Sequence, residues 1–243
     1  MPIYMKGVNE MNIAGILAGG IGSRMGSTLP KQFLEIGGIP IIVRVINRFI
    51  NNENIDYAII AMNSEWMDYC KEMLIKWGID TEKIALIEGG ETRFESLYNI
   101  AKKAYEYNNE SVVISHDCAR VFVSDAIINN NIEMIKEMDC TTTSVPTIDT
   151  VIVSTDGITS DSVPNRDTIF LDQGPQTFKA KEFIDMADAL SADERAKYME
   201  AGRMYLDKGL KVGIVEGERT NFKMTTDFDI KYGEFLLSEG YIK

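Results

Sequence analysis

The feature that most constrains this chain is an alternation. Through about its first 140 residues, apolar runs of strand length take turns with stretches of helical periodicity. Residues 12–17, 56–62, 83–88 and 111–115 read as strands. Between the first two, residues 40–50 open on Pro40, a residue suited to a first helical turn, and set Ile42, Val45, Ile46 and Phe49 at helical spacing. Ser64 precedes a helix over 64–77. Thr92 and Glu95 form a capping-box pattern ahead of a helix carrying Leu97, Ile100, Ala101 and Ala104, and Ser124 precedes another over 124–138. Strands alternating with helices build a parallel sheet covered by helices on both faces. The expected fold is therefore α/β, a Rossmann-like, mostly parallel sheet flanked by helices.

The pattern breaks between about 140 and 178, where Thr, Val, Ser, Asp and Pro dominate. Turns are expected at Thr155–Gly157 and Pro164–Arg166, with Val151–Ser154 and Thr168–Leu171 pairing as a hairpin. This stretch reads as a β-arm inserted into the α/β frame. Helices over 179–189 and 193–208, the second behind the capping-box pair Ser191 and Glu194, precede a strand at 211–215 and a helix from about 226. The 243 residues suit one domain over 11–243 with an arm at about 146–173. Residues 1–10, ahead of Met11, read as a flexible extension.

Charge narrows the function. Lys and Arg number 25 against 37 Asp and Glu, a net charge of −12. A field of that sign repels nucleic acid and anionic membrane, so neither is an expected partner. No apolar run nears the ~18 residues of a membrane span, and the N-terminus lacks a signal-type apolar core, so a cytoplasmic location is expected. An anionic substrate needs a few locally clustered cations. Three cysteines without a CxxC spacing argue against a disulfide framework and a zinc site, and one histidine, His116, excludes a His-rich metal site.

The densest local signal is LAGGIGSRMGSTLPKQ at 17–32, directly after the first strand. Gly19, Gly20 and Gly22 permit a tight turn whose amide groups converge on an anion, and Arg24 and Lys31 add full charges nearby. Three readings compete: a glycine turn that binds nothing, a dinucleotide site, and a nucleoside triphosphate loop. Gly20, Gly22 and Gly26 give G-x-G-x-x-x-G, one residue longer than the dinucleotide fingerprint, and the G-K-[ST] ending of a Walker loop is absent.

The run L-A-G-G-x-G-S-R-M-G followed by P-K-Q-F resembles the signature of the cytidylyltransferases that make CDP-alcohols, a nucleotidyltransferase family acting on 2-C-methyl-D-erythritol 4-phosphate or ribitol 5-phosphate. The resemblance runs from Met11 along essentially the whole chain, through five separated segments. It implies that Leu17, Ala18, Gly19, Gly20 and Gly22 bind CTP, with Arg24 and Lys31 on its phosphates. In GGETRFESL (89–97) it implies that Gly89, Gly90, Arg93 and Ser96 hold the base and ribose; service in a helix's first turn is the competing reading for Arg93 and Ser96. In SHDCAR (115–120) it implies that Asp117 binds magnesium or manganese and that Arg120 is a substrate-site cation. His116 reads as a residue packing behind that site, and Cys118 as a small buried one.

The same resemblance implies that the arm reaches into a second subunit of a homodimer, with Thr150 and Arg166 at the acceptor phosphate. Gly174 stands in GPQTF where the family commonly has threonine, and NFKMTT (221–226) supplies Lys223 for a phosphate. Tyr198–Ala201 departs from the family's T-D-x-A; Glu200, one residue past the aspartate position, is read as its replacement and is left out of the expected site. The implied reaction is attack of a polyol phosphate on the α-phosphorus of CTP. A phosphate monoester, with a second pKa of about 6, is largely dianionic at neutral pH and needs no general base. The L-A-G-G turn, E-W-M at 65–67 and the P-N-R-D arm look closer to the ribitol members, so D-ribitol 5-phosphate is the favoured acceptor and methylerythritol phosphate the alternative. A Rossmann-like oxidoreductase is the competing class, against which the glycine spacing counts.

Overall fold

A computed structural model describes residues 10–20 and 29–242. Gly22, Arg24 and all but the last residue of the 1–10 extension lie outside the described residues.

Four strands arise where the alternation places them: β1 (Asn12–Leu17), β4 (Tyr57–Met62), β5 (Ile84–Glu88) and β6 (Val112–Asp117). A two-stranded ribbon, β2 (Glu35–Ile36) and β3 (Ile39–Pro40), precedes the first helix, α1 (Ile41–Ile50). The crossovers continue with α2 (Met67–Lys76) and α3 (Arg93–Tyr107). Thr92 caps α3 by accepting from the Glu95 amide at 3.1 Å, and Ser124 caps α4 (Asp125–Met134) in the same way.

The second half completes the sheet with β7 (Cys140–Pro146), β8 (Phe170–Lys179) and β9 (Val212–Glu216). The seven strands lie in the order β5-β4-β1-β6-β8-β7-β9. All neighbouring pairs are parallel except those made by β8, which runs antiparallel to both β6 and β7. The mostly parallel α/β sheet expected from the alternation is borne out.

Period-two alternation divides the core between two faces. Ala14, Ile16, Ile60 and Ile114 pack on one side against α1, α2 and α4. Ile13, Ile59 and Val113 pack on the other against α3 and α5 (Ala180–Asp188). Phe94, Phe178 and Phe183 are fully buried there, with Phe178 and Phe183 stacked at 4.5 Å.

Two sequence expectations are corrected. Thr168–Leu171 does not pair with Val151–Ser154. Phe170 and Leu171 pair with Pro146 and Val145 of β7, and Val153 bridges Ser162 instead. β7 and β8 are neighbours in the main sheet, so their ladder simply continues to the base of the arm, leaving 147–169 as the projecting loop. The helix over 193–208 is split into α6 (Ala192–Arg195) and α7 (Ala201–Asp207). The capping box at Ser191 and Glu194 forms, but Glu200 is extended (φ −128°, ψ 141°) and interrupts the helix. A last helix, α8 (Asp227–Ser238), starts from a capping box at Thr226 and Asp229.

Candidate active site

β1 has β4 on one side and β6 on the other, so strand order reverses at the β1–β6 pair. Open α/β sheets bind ligands at the carboxyl ends of strands at such a switch point. A cleft of about 290 Å³ opens there. Leu17, Ala18, Gly19 and Gly20 from the exit of β1 form its floor, with Lys31 beside them. The loop is tied down from behind. The Cys118 amide donates to the Leu17 carbonyl (3.0 Å), the Ala18 amide to that of Ala61 (2.8 Å), and buried Gln32 donates through Nε2 to the Ala18 carbonyl (2.8 Å). Phe33 is buried edge-on to Tyr69 at 4.9 Å, anchoring the short turn that presents Lys31. The Lys31 Cε lies 3.6 Å from where a Cβ on Gly20 would sit.

The β5–α3 turn forms the opposite wall. The Gly90 amide donates to Ser96 Oγ (3.0 Å), which donates to the Thr92 carbonyl (3.1 Å). A Cβ on Gly90 would fall 2.2 Å from Glu95 Cβ, so only glycine allows the turn to close this tightly. Ser96 therefore serves the turn while also lining the cleft. Gly89 sits behind it, its amide on the Met62 carbonyl (2.8 Å).

Arg93 does more than begin a helix. Its Nε and Nη2 both donate to Asp117 Oδ1 at 3.2 Å. Lys223 Nζ donates to the other oxygen, Oδ2, at 2.7 Å. Burial alone would raise the Asp117 pKa, but Arg93 and Lys223 outweigh it and hold the carboxyl below its ordinary value. An ionised carboxylate thus stands at the end of β6 between two cations, at the mouth of a cleft that Lys31 also enters. That charge pattern suits the phosphates of a nucleotide.

A family model described as 2-C-methyl-D-erythritol 4-phosphate cytidylyltransferase (IspD) matches residues 13–239. The chain belongs to that family. It is a CTP-dependent cytidylyltransferase, a nucleotidyltransferase. Its fold is similar to a solved 4-diphosphocytidyl-2C-methyl-D-erythritol synthase of Anaerococcus prevotii, at 26% identity and a TM-score of 0.79 over 94% of this chain and 96% of that one. It is also similar to a 2-C-methyl-D-erythritol 4-phosphate cytidylyltransferase of Francisella tularensis, at 28% identity and a TM-score of 0.77 over 93% and 99%.

Not every residue that the cytidylyltransferase resemblance singled out meets in this cleft. Arg120 points elsewhere: it donates to the backbone carbonyls of Asn221 (3.0 Å) and Asp172 (3.2 Å), stitching the Lys223 segment to β8. Thr150 and Arg166 lie exposed on the arm, and Arg166 Nη1 donates to its neighbour Ile148's carbonyl at 3.1 Å. Neither lines the cleft of its own chain. His116 is fully buried, with Nε2 2.8 Å from the Arg120 carbonyl. Burial lowers its pKa to about 4, so at neutral pH the ring is uncharged and Nε2 donates. Cys118 is buried and its thiol pKa raised by that burial, which excludes a thiolate nucleophile at neutral pH.

Gly174 has φ +68°, a backbone angle that favours glycine whatever the substrate. Glu200 is the addition that sequence reasoning left out. Its Oε2 lies 2.8 Å from Arg93 Nη1. Burial pushes its pKa up to about 7, against the pull of Arg93. The signal for it was present in the departure from T-D-x-A, but the break that makes Glu200 extended lies inside the helix expected over 193–208. Among the described residues, no three His, Cys, Asp or Glu side chains cluster as a metal cage, and no helix is long and apolar enough to cross a membrane.

Proposed function

We propose that this chain transfers a cytidylyl group from CTP to 2-C-methyl-D-erythritol 4-phosphate. The observation that carries the transfer chemistry is Asp117 gripped between Arg93 and Lys223 at the mouth of the glycine-floored cleft. An oxygen of the acceptor's phosphate attacks the α-phosphorus of CTP. A new P–O bond forms, the bond to the oxygen bridging the α- and β-phosphorus atoms breaks, and pyrophosphate departs with that electron pair. The attacking phosphate is already dianionic, so no protein base is required. Catalysis is positioning and charge neutralisation. Lys31 faces the triphosphate, a role the family resemblance gives to Arg24 as well, Lys223 the phosphates at the reacting end, and the Gly89–Ser96 turn the base and ribose.

Asp117 suits a magnesium or manganese ion. Magnesium takes one or two carboxylates and completes its shell with phosphates and water. Three N–H donors occupy three of the roughly four lone-pair sites of the carboxylate, leaving one on Oδ2. When bound, the ion supplies charge neutralisation for the phosphate oxygens. The arm belongs to a homodimer in this reading, with Thr150 and Arg166 of one subunit serving the acceptor end of the other's cleft.

The methylerythritol acceptor is favoured over ribitol 5-phosphate because the matching family model and similar solved structures carry that description. Ribitol 5-phosphate keeps the support of the L-A-G-G turn and the P-N-R-D arm. Pyrophosphate release from CTP, measured with each acceptor separately, tests the reading. Faster turnover with ribitol 5-phosphate reverses the preference, and no release with any polyol phosphate removes the reading.

A further inference from the structure

Arg93 is held from two sides. Its Nε and Nη2 meet Asp117, while Nη1 donates to the Met199 carbonyl at 2.6 Å and forms an ion pair with Glu200 Oε2 at 2.8 Å. A guanidinium is a rigid planar fork, so gripping Nη1 determines which edge is left for Asp117. The grip comes from the break between α6 and α7. That break is itself anchored in the sheet: the Oε1 of buried Gln176, on β8, accepts from the Ala201 amide (3.0 Å) and the Gly202 amide (3.4 Å). Gln176 Nε2 in turn donates to Asp172 Oδ2 (3.2 Å) and Thr142 Oγ1 (3.3 Å). A continuous set of contacts thus runs from β8 through residues 199–202 to Arg93 and on to the cleft.

We propose that Glu200 is a positioning residue for nucleotide binding, orienting Arg93 through Nη1 so that its other edge faces Asp117 and the cleft. The proposal deepens the reading above and rests on it for the identity of the nucleotide. Without the Glu200 side chain, Nη1 keeps only the Met199 carbonyl, and Arg93 is held less firmly in that direction. A long arginine that must be ordered by the ligand binds that ligand less tightly than one already in place.

The test is calorimetric binding of CTP to the full chain, without acceptor, so that it does not depend on which polyol phosphate is used. Glu200→Ala is expected to weaken CTP binding about tenfold, a coupling within the range seen for residues in one ion-pair network. Glu200→Gln, which keeps an acceptor oxygen, is expected to lose clearly less. In an Arg93→Ala background, Glu200→Ala is expected to change CTP affinity by less than about twofold, because the residue it orients is gone. An equal loss in both backgrounds, or no loss in the Arg93 background of the wild type, overturns the proposal. If Glu200→Ala does not fold, the Gln variant carries the same cycle. Wild-type protein that binds CTP but turns over neither acceptor leaves this test standing and defeats only the choice of acceptor; wild type that does not bind CTP defeats the nucleotide reading itself.

Discussion

The cleft and the arm are built on opposite principles. The cleft is assembled from residues far apart in sequence and closed by contacts within one chain: Arg93, Asp117 and Lys223 come from three separate segments and meet within 3.2 Å. The arm, 147–169, is local. It is held by one isolated bridge and short turns such as that at Asp156, whose carboxylate accepts from the Ile158 and Thr159 amides at 2.8 Å. Its apolar side chains point outward, with Ile158 89% and Ile148 61% exposed. The described lining of the cleft comes from a single chain. Arg166 on the arm meets the Ile148 carbonyl and does not line that chain's own cleft, which is the arrangement a second copy would make useful.

Breaking the cleft should have the largest effects. Asp117→Asn removes the charge that Arg93 and Lys223 share, and turnover should fall about 10³-fold or more, with activity in the wild type requiring magnesium or manganese. Full activity in excess chelator would sink the metal role of Asp117. Lys31→Ala should lower turnover about 10²–10³-fold while thermal unfolding stays near wild type, since it deletes one preorganised charge. A variant within about threefold of wild type would move Lys31 out of the site.

The arm is probed by mixing. If it crosses to a partner, Arg166→Ala and Lys31→Ala subunits combined in equal amounts should regain activity, up to roughly a quarter of wild type. Half the dimers are then mixed, and one of their two sites carries both residues. Sedimentation establishes subunit exchange first; exchanging subunits with no regained activity would confine each arm to its own chain.

The smallest effect is on stability. The Asp117 carboxyl is held below its unfolded pKa by Arg93 and Lys223 in spite of burial, so its ionic contribution is present above about pH 4 and lost as pH falls toward its folded value. Urea denaturation should therefore show the gap between wild type and Asp117→Asn narrowing below about pH 4. A gap that is constant from pH 7 to pH 3 would mean that Asp117 contributes no charge-dependent stability.

The alternation in the first half of the chain was enough to determine the parallel strands, the caps at Thr92 and Ser124 and the placement of Gly89–Ser96 and Asp117 at strand ends. Periodicity and capping are local properties, set by side-chain geometry within a few residues, and they survive into the folded state. Long-range pairing is not local. Which strand meets Phe170 and Leu171 depended on β7 and β8 being neighbours in the sheet, and the arm's own sequence carries no record of that. The same holds for Arg120, whose charge is legible but whose partners are backbone carbonyls of Asn221 and Asp172. Glu200 is the clearest case: its helical spacing continues through 193–208, yet Gln176 holds the amides of residues 201 and 202 from another strand and the helix gives way. Residue types and local turns were written in the sequence; which charges meet was decided by hydrogen bonds that only the assembled sheet brings within reach.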